Sequence, residues 1–112
     1  MLNWENIGRH QRKMMETLNI IFKGHDKLVK FLFEDDRPRL RQEAESLLKA
    51  ASGFSSGERL LVRVAIDLWN GEAGVRLWEL LERLDEENFE QVFKGLCHLK
   101  KSEDEAMVWR EP

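Results

Sequence analysis

The residues of this chain whose types could do metal, nucleophilic or acid–base chemistry are three histidines, His10, His25 and His98, one cysteine, Cys97, and the acidic triplet Glu34-Asp35-Asp36. A helix-borne metal site needs a second ligand three or four residues from the first, where side chains share a face. No histidine has one. The flanking positions are Asn6, Ile7, Lys13 and Met14 for His10, Ile21, Phe22, Leu28 and Val29 for His25, and Lys94, Gly95, Lys101 and Ser102 for His98. Cys97 adjoins His98 and so points to a different face; as the only cysteine it forms no intrachain disulfide and reads as a small apolar residue on a helix. The acidic triplet is followed by Arg37, Arg39 and Arg41, which makes it a locally compensated, solvated turn rather than half of an acid–base pair. No Ser, Cys or Lys has an identifiable base beside it. The sequence therefore offers no catalytic residue, no metal ligand set and no cofactor site.

Three short stretches resemble functional motifs. His25-Asp26-Lys27 carries a His-Asp pair similar to that of metal phosphohydrolases, without the further His and Asp such a site requires, and Asp26 reads instead as a helix N-cap. Gly71-Glu72-Ala73-Gly74 resembles the GXXG loop of KH domains. That fold needs strands the sequence lacks, and Glu72 would repel phosphate, so the stretch reads as a helix C-cap glycine and a turn. From Phe54 to Leu96 the rhythm of helix, connection, helix, tight turn, helix resembles a helix-turn-helix DNA reader. A recognition helix should present Arg, Lys, Asn, Gln or Ser near its start. Here the start is Asp85-Glu86-Glu87-Asn88-Phe89-Glu90-Gln91, whose carboxylates complement the helix dipole and oppose a phosphate backbone.

Charge points the same way. The net charge is −3, with ten basic and eight acidic residues through Phe54 and eight basic and thirteen acidic from Ser55 onward, so the half with the DNA-reader rhythm has the wrong sign for phosphate. With 112 residues, 42% hydrophobic and 35% charged, the chain suits one domain with one core. No apolar run approaches a membrane span, and the first residues have charge without the apolar segment of a secretory signal, so cytoplasmic residence is expected. No repeat or linker is evident.

The elements that must position any site read as helices throughout, because the apolar residues recur at helical spacing. A first helix is expected from about Trp4 to Lys23, a second from about Asp26 to Glu34. A third should be capped by Asp36 with Pro38 in its first turn and Leu40, Ala44, Leu47, Leu48 and Ala51 on one stripe. Ser55 and Glu58 have the spacing of a capping box for a fourth, central helix ending at Asn70, apolar except for a strip at Arg59, Arg63 and Asp67. A fifth helix, Val75 to Leu84, carries Leu77, Leu80, Leu81 and Leu84 as its inward stripe. Asp85 can cap a sixth, which presents Phe89, Val92, Phe93, Leu96 and Cys97; Leu84 and Phe89 have the spacing of a hydrophobic staple. The expectation is an all-α single domain, 1–112, of five or six short helices: N-terminal helices over 1–53, a central helix plus helical hairpin over 55–101 with the last three helices in a helix-turn-helix-like arrangement, and an acidic tail over 102–112.

What remains is tryptophan. Trp69 belongs to the core of the fourth helix. Trp78 has no evident place on an inward stripe already complete, and Trp4 and Trp109 lie near the chain ends, where each can serve either a partner surface or the core. We read the chain as a small non-enzymatic accessory protein of bacterial or phage type that binds another protein, in the first instance itself as a homodimer. The candidate partner-binding residues are Trp78, Trp4, Trp109, Glu86, Glu87 and Glu90. The alternatives are a DNA-binding regulator using Arg9, Arg12, Lys13, Lys23, Lys27 and Lys30, and an acidic DNA mimic that occupies a DNA-binding partner.

Overall fold

Helix α4, Ser56–Asn70, is apolar almost all round, and that is why it lies at the centre: Leu60, Leu61, Val62, Val64, Ala65 and Ile66 are all buried. The computed structural model describes residues 1–101. Before α4 come α1 (Arg9–Ile21), α2 (Asp26–Leu32), α3 (Ala44–Ala50) and a 3-10 turn (Ala51–Gly53); after it come α5 (Leu77–Arg83) and α6 (Glu86–Lys100). All six helices contribute to one core, and among the described residues there is no strand beyond a single antiparallel bridge, Phe33 to Leu40. None of these helices is long and apolar enough to cross a membrane.

The expected capping box at the start of α4 is formed. The Glu58 N–H donates to Ser55 Oγ at 3.2 Å and the Ser55 N–H donates to Glu58 Oε1 at 3.0 Å, so two donors that the helix cannot satisfy find partners. The bond from the Ser55 N–H holds the Glu58 carboxyl below its usual range. Gly71 ends the helix in the left-handed region, φ +74°. Ser55→Ala should lower stability by about 1 kcal/mol, the usual cost of a lost N-cap, read as a shifted denaturation midpoint with an unchanged slope. An unchanged midpoint would mean the cap contributes nothing.

Two expected boundaries were too generous. The first helix begins at Arg9, not Trp4, because residues 1–8 run extended and are tied down by specific bonds. The Leu2 N–H donates to Asn19 Oδ1 at 2.8 Å, the Asn19 amide donates back to the Leu2 carbonyl at 2.9 Å, and Asn6 takes a left-handed turn at φ 57°. The third helix begins at Ala44, not after Asp36. Phe33 is buried and pairs with Leu40; the Glu34 N–H donates to the Arg39 carbonyl at 3.0 Å and the Arg41 N–H to the Leu32 carbonyl at 2.9 Å, which closes the acidic triplet and Pro38 into a hairpin-like turn. Within it Glu34 pairs with Arg37 and Arg39, and Asp35 with Arg41, the local compensation read from the sequence. At α2 the capping position is His25 rather than Asp26, which sits in the first turn, where its charge still complements the dipole.

Helix α6 packs most extensively on α1. Gly95 makes the close approach possible: a Cβ there would run into the buried Ile21 side chain and lie 3.3 Å from the Thr17 carbonyl oxygen. Two side-chain bonds bracket the contact, His25 Nε2 with Asn88 Oδ1 and His98 Nε2 with Glu16 Oε1, each at 2.8 Å. The sixth helix thus turns toward the first helix of the chain, a partner that a local helix-turn-helix rhythm does not specify.

Candidate protein-interaction surface

The side of α6 turned toward α1 carries Val92 and Gly95; the other apolar stripe, Phe89, Phe93 and Leu96, meets α5 and solvent. Between α5 and α6 lies an open groove of about 320 Å³ lined by Leu77, Leu80, Leu81, Phe89, Val92, Phe93 and Leu96, without one polar side chain. Its walls stand in water: Leu77 is 78% exposed, Leu81 71% and Phe93 59%. The sequence expectation of a single inward stripe is corrected here. Of the four leucines of the expected α5 stripe only Leu80 and Leu84 are buried, while Leu77 and Leu81 face outward; on α6 Val92 is buried, while Phe93 and Leu96 are exposed.

The cause is the way α5 is held. The helix is only seven residues long, and its inward face is shared with a carboxylate, Glu79, which is as buried as Leu80. Arg63 of α4 donates to both Glu79 oxygens, at 2.8 and 3.2 Å, and also to the Gly74 carbonyl at 3.0 Å. The Arg76 N–H adds a bond to Glu79 Oε1 at 2.9 Å, and Arg83 approaches at 3.7 Å. One turn along α4, the Asp67 carboxylate collects three successive backbone N–H groups, of Ala73, Gly74 and Val75, at 2.7, 3.0 and 2.6 Å. The strip of polar residues on α4 thus grips the α4–α5 connection and rolls α5 so that Glu79 faces inward. A helix of 3.6 residues per turn that turns position 79 inward cannot also bury 77 and 81.

The same bonds set the acidity of the two carboxyls. Hydrogen bonds from the Arg63 guanidinium, then from the Arg76 N–H, hold Glu79 well below its ordinary value of 4.5, at about 2, against the opposing effect of burial. Partial burial pushes Asp67 up, but the bonds from Val75, Ala73 and Gly74 and the charge of Arg63 outweigh it and leave Asp67 below its ordinary 3.8. Carboxyls depressed by folding contribute stability that is present above their unfolded pKa and lost as pH falls toward the folded one. For Glu79 that window runs from 4.5 down to about 2. Denaturation midpoints should therefore fall steadily when pH is lowered from roughly 5 to roughly 2.5, and Glu79→Gln should be less stable at neutral pH with a shallower acid slope. Equal slopes for the two proteins would remove Glu79 from this account.

The residues singled out in the sequence are not brought together. Trp78 is 46% exposed on α5, with the Arg83 guanidinium 5.8 Å from its ring centroid, but it does not line the groove. Trp4 goes to the core: it is 2% exposed and its Nε1–H donates to the Glu34 carbonyl at 3.0 Å, so it is corrected from partner-binding residue to packing residue. Trp109 lies outside the described residues. Glu86, Glu87 and Glu90 are exposed in the first turns of α6, where their charge complements the helix dipole. Of the basic residues in the first half, Lys13 is half-buried and Arg9, Arg12, Lys23, Lys27 and Lys30 are exposed, on α1, on α2 and in the turn between them. Among the described residues no group of three His, Cys, Asp or Glu side chains is placed to hold a metal ion. Sequence reading missed Leu77, Leu81, Phe93 and Leu96 as surface residues. The available signal was Gly95, which marks the close-packed side of α6 and leaves the Phe93 side for something else. No protein-family model matches the chain, and neither the curated proteins nor the solved structures include a significantly similar one.

Proposed function

We propose that the chain is a non-enzymatic protein-interaction module that associates with a second copy of itself through the α5–α6 apolar face. The observation that carries this reading is the contiguity of Leu77, Leu81, Phe93 and Leu96 around one groove, all exposed in the single chain. Apolar surface removed from water contributes about 25 cal/mol per Å², and soluble monomers rarely leave several large apolar side chains together in water without a use for them. The groove lining holds no charged or hydrogen-bonding side chain with which to select a differently built ligand. The exposed side chains at its rim, Leu77, Leu81 and Phe93, can be covered by the same apolar rim of a second copy, and two-fold pairing covers both copies at once.

Sedimentation equilibrium over a concentration series tests the proposal. The unmodified chain should move from monomer to dimer at or below tens of micromolar, roughly the range expected for a functional contact of this size. A chain that stays monomeric to about 100 µM would sink the reading.

A further inference from the structure

Resting on the self-association just proposed, we infer that the two copies pair with their α6 helices antiparallel, the two-fold axis passing at Phe93, so that Glu86 of each copy faces Lys100 of the other. Glu86, Phe93 and Lys100 recur at intervals of seven residues, which is two helical turns, so they lie on one line along the outward side of α6. All three are exposed, and Phe89 and Leu96 fill the adjoining line at the same spacing. The line is apolar at its middle, acidic at its N-terminal end and basic at its C-terminal end. Among the described residues neither Glu86 nor Lys100 takes part in an ion pair within the chain.

That pattern is self-complementary in one direction only. Pairing the helices in parallel would set Glu86 against Glu86 and Lys100 against Lys100, about 21 Å apart at the two ends of a shared apolar middle. Reversing one helix about Phe93 converts both like-charge contacts into opposite-charge ones while leaving Phe93 against Phe93. An isologous contact has this property by construction: whatever residue i meets in the other copy is met in return. The end charges then set direction and register, while the apolar middle supplies most of the affinity.

Charge reversal separates this arrangement from any other use of the face. Glu86→Lys and Lys100→Glu should each weaken the dimer, by about tenfold in low salt, since each turns two attractive contacts into two repulsive ones. The double variant should recover the original affinity. An equimolar mixture of the two single variants should form heterodimers in preference to either homodimer, and all these differences should shrink in about 1 M salt. Circular dichroism melts of each variant as a monomer establish that the fold is intact. Single variants that dimerise as well as the parent, or a double variant no better than the singles, would overturn the antiparallel register. The self-association reading survives that result if Phe93→Glu still abolishes the dimer. A parent chain that never dimerises overturns both.

Discussion

Phe93→Glu should convert the protein to a monomer at every accessible concentration while leaving its helices intact. In the single chain Phe93 is 59% exposed on the outer side of α6, so the substitution removes little core contact and should change monomer stability by no more than about 0.5 kcal/mol. In the dimer proposed above the same residue would lie on the two-fold axis. There the change deletes an aromatic anchor from the centre of the interface and sets two carboxylates against each other where water is excluded. A central aromatic residue alone contributes about 2 kcal/mol or more, and two desolvated like charges add at least as much, for a loss on the order of a thousandfold in affinity. Sedimentation reads the first effect. Thermal unfolding at a concentration where the parent is also monomeric reads the second, without the stabilisation that association itself supplies. A variant that still dimerises would place the contact elsewhere on the molecule.

Trp4→Ala should have the opposite profile: a large loss of stability and no direct effect on self-association. The indole is buried where the extended N-terminal segment crosses the body, edge-on to Phe33 at 5.7 Å and to Trp69 at 5.9 Å between ring centroids. Phe33 and Trp69 are themselves edge-on at 5.2 Å, so the three rings form one cluster. Truncation leaves a cavity among them and takes from the Glu34 carbonyl the donor that sits 3.0 Å away. Large-to-small changes at such positions cost about 3–5 kcal/mol, a large part of the stability of a domain this size. Urea denaturation of the monomer is the measurement. A midpoint close to the parent's, together with a weakened dimer, would return Trp4 to the interaction surface.

Much of this fold was legible along the chain because it depends on local physics. The helical class, the capping box of Ser55 and Glu58, the left-handed Gly71, the Asp85 N-cap whose side chain accepts from the Asn88 N–H at 2.8 Å, and the central place of α4 all follow from neighbours within four residues or from apolar density on one helix. The compensated acidic turn was legible for the same reason, although the helix expected to start inside it was not formed. Pro38 and Asp36 are as compatible with a tight turn as with a helix start, and the choice fell to Phe33 and Leu40, which pair across it. Likewise Asn6, with its left-handed φ, and Gly8 keep Trp4 out of the first helix, and its indole buries against Phe33 and Trp69 from an extended segment.

The candidate surface was beyond local reading. The leucines of α5 and the apolar residues of α6 are more numerous than one buried stripe can hold, and the sequence by itself determined only that excess. Which of them meet the core depends on rotations set from far along the chain: Arg63 and Asp67 of α4 roll α5 through Glu79 and the 73–75 backbone, and Ile21 of α1 draws in the Gly95 side of α6. Helical periodicity specifies the angles between side chains on one helix, but not the direction in which the whole helix faces. That direction is a balance of packing and buried polar bonds between residues distant in sequence, and here it leaves Leu77, Leu81, Phe93 and Leu96 together in water.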